Sequence, residues 1–244
     1  MTMKRSLSIF ALFARSSFRQ MGLIFIALAL VQTVIFHFTL GNLTAIGMPG
    51  LEIALDSSPL LISFIVAFTL LAFVLCRIGS ETGSRVSYTL RRLALSEKQI
   101  FLLQSVYNTL AFLLLWLFEA LVIFGLCQLY PHWADQTLVT NQTVMLAAYR
   151  SKFFHLLMPL SDYYVAIALG LFWFSTGVSS AMAPFQQRRH GGKPLRYSFV
   201  PLMMIYILLQ AYNGQSFLIL SFIYGFTVVL GIWSTFCIKE EMEE

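Results

Sequence analysis

Six apolar stretches, each near the ~20 residues that a bilayer-spanning helix needs, constrain this chain more than any motif in it. They cover residues 22–40, 60–77, 101–126, 163–184, 195–211 and 217–237. The fifth is the shortest run and carries Pro201 in its first turns. A membrane helix tolerates such a proline because neighbouring groups re-satisfy the freed backbone. Runs of alternating polar and apolar residues are absent, which argues against a transmembrane barrel. Composition closes the other routes. Of 244 residues, 58% are hydrophobic and 11% are charged, against about 25% charged in an ordinary soluble domain. That is too little charge to face water, so soluble enzymes, disordered tails and secreted disulfide scaffolds drop out. The expected fold is all-α: one integral membrane domain over residues 1–244 with six transmembrane helices.

Lysine and arginine in the loops set the expected orientation. Residues 1–21 carry Lys4, Arg5, Arg15 and Arg19. The loop between spans two and three carries Arg77, Arg85, Arg91, Arg92 and Lys98; that between spans four and five carries Arg188, Arg189, Lys193 and Arg196. Lys239 follows span six. With six spans, 14 basic residues fall on one side and only Arg150 and Lys152 on the other. Both termini are therefore expected in the cytoplasm. The net charge of +5 is a topology signal, and no nucleic-acid partner is expected.

Within residues 1–20, Leu7, Phe10, Phe13 or Ala14, and Phe18 fall on one side of a helix. Arg5, Ser8, Arg15 and Arg19 lie largely elsewhere, so the segment reads as a basic amphipathic helix on membrane lipid at the inner leaflet. In the loop 78–100, Val86, Leu90 and Leu93 recur at i, i+4 and i+7, with Arg85, Arg91 and Arg92 beside them. That is a short helix with an apolar stripe and basic flanks. Ser96, with Gln99 three residues later, reads as the cap that opens span three. Such a helix suits either lipid headgroups or the groove of a cytoplasmic partner. The large external segment covers residues 130–162, and part of it, 142–157, could form an amphipathic helix.

Glu119 is the one acid well inside an apolar run. At ~100° per residue, Gln104, Asn108 and Glu119 lie within roughly 60° of one another. They make one polar face on span three and are candidates to line a pathway, with Gln32 and Thr33 of span one, and Gln210 with Asn213 near the end of span five, as contributors. An ionisable residue at such a site is a functional candidate by default; a solvated or interhelical hydrogen-bonding role is the plainer reading. Gly170 and Gly177 in span four form a seven-residue repeat suited to helix packing. Cys76, Cys127 and Cys237 match no metal or redox spacing. His37 and His155 lack companions at ligand spacing, so no metal is expected. No phosphate loop, zinc motif or nucleophile elbow occurs. The chain is expected not to be an enzyme, and any energy source lies in another chain.

The amphipathic N-terminus, the six spans and the segment from Tyr88 to Phe101 resemble the permease subunits of type-2 ABC exporters. The resemblance covers nearly the whole chain. It implies that Arg85, Val86, Leu90, Arg91, Arg92 and Leu93 form a coupling helix that docks a separate cytoplasmic ATPase. ATP and magnesium would be held by that partner and no cofactor by this chain. It further implies pairing with a second permease, either a copy or a related chain, in a bacterial plasma membrane. One departure stands out. Many such exporters carry re-entrant helices between spans five and six, whereas here that turn is a few residues long and the sizeable external element follows span three. An ion-coupled secondary carrier working through Glu119 is the alternative.

Overall fold

An apolar run in lipid has no water to satisfy its amides, so it closes its hydrogen bonds within itself as a helix. The computed structural model describes residues 3–45, 51–78, 96–133, 145–146, 149–158, 163–190 and 217–237, and among them there is no strand. The helices among the described residues are, in order, α1 (Met3–Ala45), α2 (Leu51–Ser57), α3 (Leu60–Arg77), α4 (Glu97–Trp133), α5 (Lys152–Leu157), α6 (Tyr163–His190) and α7 (Phe217–Cys237). Four of them, α1, α3, α4 and α6, are long and apolar enough to cross a membrane. The fifth apolar stretch, 195–211, lies outside the described residues, as does most of the loop 78–100.

The outward faces are as apolar as the inward ones. Leu23, Ile26, Leu30 and Val34 of α1 are exposed, and so are Ile62, Val66, Leu70 and Phe73 of α3. Leu102, Val106, Leu110, Leu114, Leu117 and Leu121 make a similar stripe along α4. Contiguous patches of that extent are rare on a protein dissolved in water. They mark a membrane protein, whose solvent is acyl chain.

Helix directions follow from side-chain pairs. Phe13 packs on Tyr107 at 5.8 Å, Phe25 stacks on Phe118 at 4.9 Å, and Gln32 bonds Glu119 at 2.6 Å. Rising numbers on both helices make α1 and α4 parallel. Gln104 bonds the Ile78 carbonyl, and Phe68 stacks on Phe112 at 4.9 Å, so α3 runs opposite to α4. Phe101 against Phe185 and Asn108 against Ser180 give the same opposition between α4 and α6. The amino ends of α1 and α4 thus share one end of the bundle with the carboxyl ends of α3 and α6. Arg15, Arg19, Arg77 and Lys98 belong to those segments.

Lipid tails are as apolar as leucine, so packing and interhelical hydrogen bonds hold such a bundle rather than transfer from water. At its centre Phe68 lies between Phe112 and Trp173, and Trp173 meets Phe172 edge-on at 5.2 Å. Only 22% of the apolar window of α1 is buried, against 61% in both α3 and α6, so α1 sits at the rim.

The N-terminal segment differs from expectation in two ways. It is continuous with the first apolar stretch in one helix of 43 residues. Gly22 is the only helix-weakening residue near the expected junction, and one glycine costs only about 1 kcal/mol relative to alanine. The stripe that packs inward is Ile9, Phe13 and Ser17, while Leu7 and Phe18 are exposed. Tyr107 decides this: Phe10 and Phe13 pack on its ring, and Ser17 shares a short hydrogen bond with its hydroxyl.

Part of the segment 130–162, expected outside the membrane, is folded against the bundle. Ser151 caps α5 by accepting from the Phe154 amide at 3.4 Å. Asp56 of α2 accepts from the Ser151 hydroxyl at 2.9 Å and the Lys152 amide at 3.0 Å. Phe153 and Leu157 are buried, and Trp116 Nε1 donates to the Leu157 carbonyl at 2.9 Å.

Candidate functional site

Gln104, Asn108 and Glu119 are all wholly buried on α4, so their shared polar face turns inward. The structure does not join them into one site. Each reaches a different neighbour. Gln104 Nε2 donates to the Ile78 carbonyl at the end of α3, at 2.7 Å. Asn108 Nδ2 donates to Ser180 Oγ of α6 at 2.9 Å. Glu119 Oε1 accepts from Gln32 Nε2 of α1 at 2.6 Å. The polar face links α4 to three helices in turn.

Glu119 lies 22 residues past Glu97 and 14 before Trp133 in α4. At 1.5 Å per residue it is at least ~20 Å from either helix end. It is an interhelical hydrogen-bonding group rather than a solvated one at the rim. Gln32 also donates to Ser63 Oγ of α3 at 3.1 Å, which makes the cluster a junction of α1, α3 and α4. Thr33, one residue further, bonds back to the Ala29 carbonyl at 2.8 Å and takes no part in this cluster.

A further buried polar contact joins α6 to α7. Ser179 of α6 and Tyr224 of α7 share a hydrogen bond of 2.7 Å. Ser180, Ser63 and Tyr107 are the partners that sequence reasoning missed. Tyr107 sits beside Asn108 at the edge of the polar face, and that adjacency was the available signal. Serine in an apolar helix bonds its own backbone as readily as a neighbour, so Ser180 and Ser63 gave none.

Gly170 and Gly177 do different things despite their spacing. A Cβ on Gly177 would meet Thr109 of α4 at 2.0 Å, whereas one on Gly170 would meet nothing within 4 Å. The close approach of α4 and α6 rests on Gly177 alone of the two.

An open apolar cleft of about 520 Å³ lies between α4, α6 and α7, with Phe101, Val106, Phe174 and Phe226 in its walls. Among the described residues its polar side chains are Ser105 and Ser175. Among the described residues, no group of three or more His, Cys, Asp or Glu is placed to hold a metal ion. The expected docking residues Arg85, Val86, Leu90, Arg91, Arg92 and Leu93 lie outside the described residues. Comparison with protein-family models, curated proteins and solved structures finds no match.

Proposed function

We propose that this chain is the permease subunit of an ATP-driven exporter of the type-2 ABC class. It has six spans, both termini in the cytoplasm and a place in the plasma membrane. It pairs with a second permease, a copy or a related chain, and docks a separate ATPase that holds the ATP and magnesium. The docking element is the loop 78–100, through Arg85, Val86, Leu90, Arg91, Arg92 and Leu93.

The observation that carries this reading is the mounting of that loop. Its two flanks, Ile78 and Ser96, belong to antiparallel helices tied together at that end. Gln104 of α4 is wholly buried and holds the Ile78 carbonyl, and Ser96 accepts from the Gln99 amide at 3.4 Å. A push on the loop would pass into α3 and α4 together, because the tie stops either flank from yielding alone. The exit of α3 also shares an end of the bundle with the basic amino-terminal part of α1, as the charge pattern requires for a cytoplasmic face.

The mechanism that follows is alternating access driven from outside the chain. ATP closes the paired ATPase subunits, the loop moves with them, α3 and α4 tilt, and a path at the permease dimer interface opens outward. Leu90→Asp places a charge in the apolar stripe, and Arg91→Glu with Arg92→Glu reverses its flank. Either change should uncouple ATP hydrolysis from transport in reconstituted vesicles while leaving membrane insertion intact. Full transport coupling in both variants would remove the docking role.

A further inference from the structure

The buried junction of Gln32, Ser63 and Glu119 leaves acceptor oxygens without a donor among the described residues. Gln32 Nε2 donates to both Ser63 Oγ and Glu119 Oε1. Ser63 directs its own proton to the Leu60 carbonyl at 2.7 Å, so it accepts from the amide. Both amide hydrogens are used, and the orientation of the Gln32 side chain follows from the network. Two buried oxygens then have no partner, Gln32 Oε1 and Glu119 Oε2. They belong to the same two side chains that already share a hydrogen bond.

Both orphans are acceptors. If Glu119 were ionised, its charge would be wholly buried with one neutral amide donor, and an uncompensated buried charge is strongly disfavoured. No basic side chain forms an ion pair with it among the described residues. The titratable groups nearest along the three helices do not substitute for one. On α1, His37 is exposed and lies five residues past Gln32. On α3, Cys76 is 13 residues past Ser63, and on α4, Cys127 is eight residues past Glu119. A proton on Glu119 Oε2 removes the charge and turns that oxygen into a donor. Its O–H can then serve Gln32 Oε1 while the amide serves Glu119 Oε1.

We propose that Gln32, Ser63 and Glu119 form a buried proton-binding site, occupied at neutral pH, that joins α1, α3 and α4 through a reciprocal acid–amide pair. The proton comes from water and no other group is consumed. A metal cation fits less well, because hard cations gather six or more oxygens and the site has two free ones. The inference does not depend on what the loop 78–100 docks. It gives α1, the rim helix, a second hydrogen bond to α4, made only while the proton is bound, beside the amide donation that either charge state allows.

Infrared spectroscopy of the full chain in lipid vesicles at neutral pH tests it. The expected result is a carbonyl stretch from a protonated carboxylic acid that is lost in Glu119→Gln and kept in Glu52→Gln. No such band in the wild-type chain, or a band that survives Glu119→Gln, overturns the proposal. Should Glu119→Gln fail to fold, Gln32→Ala makes the assignment. Removing the amide should move the band to higher frequency, and an unmoved band overturns the pairing. Loss of the band on adding sodium chloride at constant pH would assign the site to a cation and overturn it too.

Discussion

Gly177→Ala puts one methyl group where α6 crosses α4, and its cost can be worked from the contacts. The new Cβ would fall 2.0 Å from Thr109 Oγ1, 2.6 Å from Thr109 N and 2.7 Å from Thr109 Cα. The hydroxyl can rotate away at the loss of its 2.9 Å bond to the Ser105 carbonyl. The other two atoms are backbone and move only with the helix. Restoring carbon contacts to ~3.5–4 Å requires the helices to part by roughly 1 Å. Overpacking of this kind costs about 1–3 kcal/mol. The same separation strains the 2.9 Å bond from Asn108 to Ser180, one turn away. A membrane interhelical hydrogen bond contributes about 0.6–1.7 kcal/mol. Less the about 0.5–1 kcal/mol that alanine gains over mid-helix glycine, the expected loss is about 1–4 kcal/mol in all. Gly170→Ala is the control: nothing lies within 4 Å of its Cβ, and alanine in place of mid-helix glycine gains about 0.5–1 kcal/mol. Cys76 and Cys127 are buried free thiols and report unfolding through their reactivity with a fluorescent thiol probe during heating in detergent. The midpoint should fall for Gly177→Ala and hold or rise for Gly170→Ala. Equal midpoints for the two variants would refute the close-approach argument.

Two further predictions concern the ends of the bundle. Asp56→Ala removes the acceptor for the Ser151 hydroxyl and the Lys152 amide. The loss should be that of a helix cap, about 0.5–2 kcal/mol, seen as faster amide hydrogen exchange over residues 151–157. Glu52→Gln breaks only the 3.9 Å pair with Arg150, whose side chain is 70% exposed, and exposed pairs of this kind contribute about 0–1 kcal/mol. Unchanged exchange in Asp56→Ala would show that Phe153, Leu157 and the Ser151 cap hold α5 without Asp56. Ser17→Ala and Tyr107→Phe together form a double-mutant cycle on the hydrogen bond that fixes the amino-terminal part of α1. A coupling of about 0.6–1.7 kcal/mol is expected. Zero coupling would mean that this segment rests on apolar packing by Ile9, Phe10 and Phe13.

Hydropathy made the long helices legible because an apolar run in lipid has few alternatives to a helix. The inward face of α4 was legible as well: the spacing of Gln104, Asn108 and Glu119 puts them on one side, and all three are wholly buried. Their partners were not legible. Periodicity says which residues share a face, but not which neighbour that face meets or at what rotation. Three residues on one stripe therefore reach α3, α6 and α1 separately. The continuity of α1 was hidden for a similar reason. The basic residues at 15 and 19 mark a change of environment, and the backbone hydrogen bonds need no break there. Equal spacing misled for Gly170 and Gly177, since only the second falls at a helix crossing.

The central claim is that another chain drives this one through the loop 78–100. Its most direct test is extraction of the tagged chain from its own host in mild detergent, with identification and stoichiometry of what accompanies it. The account predicts a roughly equimolar ATP-binding subunit that is lost when Leu90→Asp and Leu93→Asp are introduced together. A chain that purifies alone and without ATPase activity, under conditions that keep other transporter complexes intact, would contradict it. The ion-coupled carrier working through Glu119 would then stand in its place.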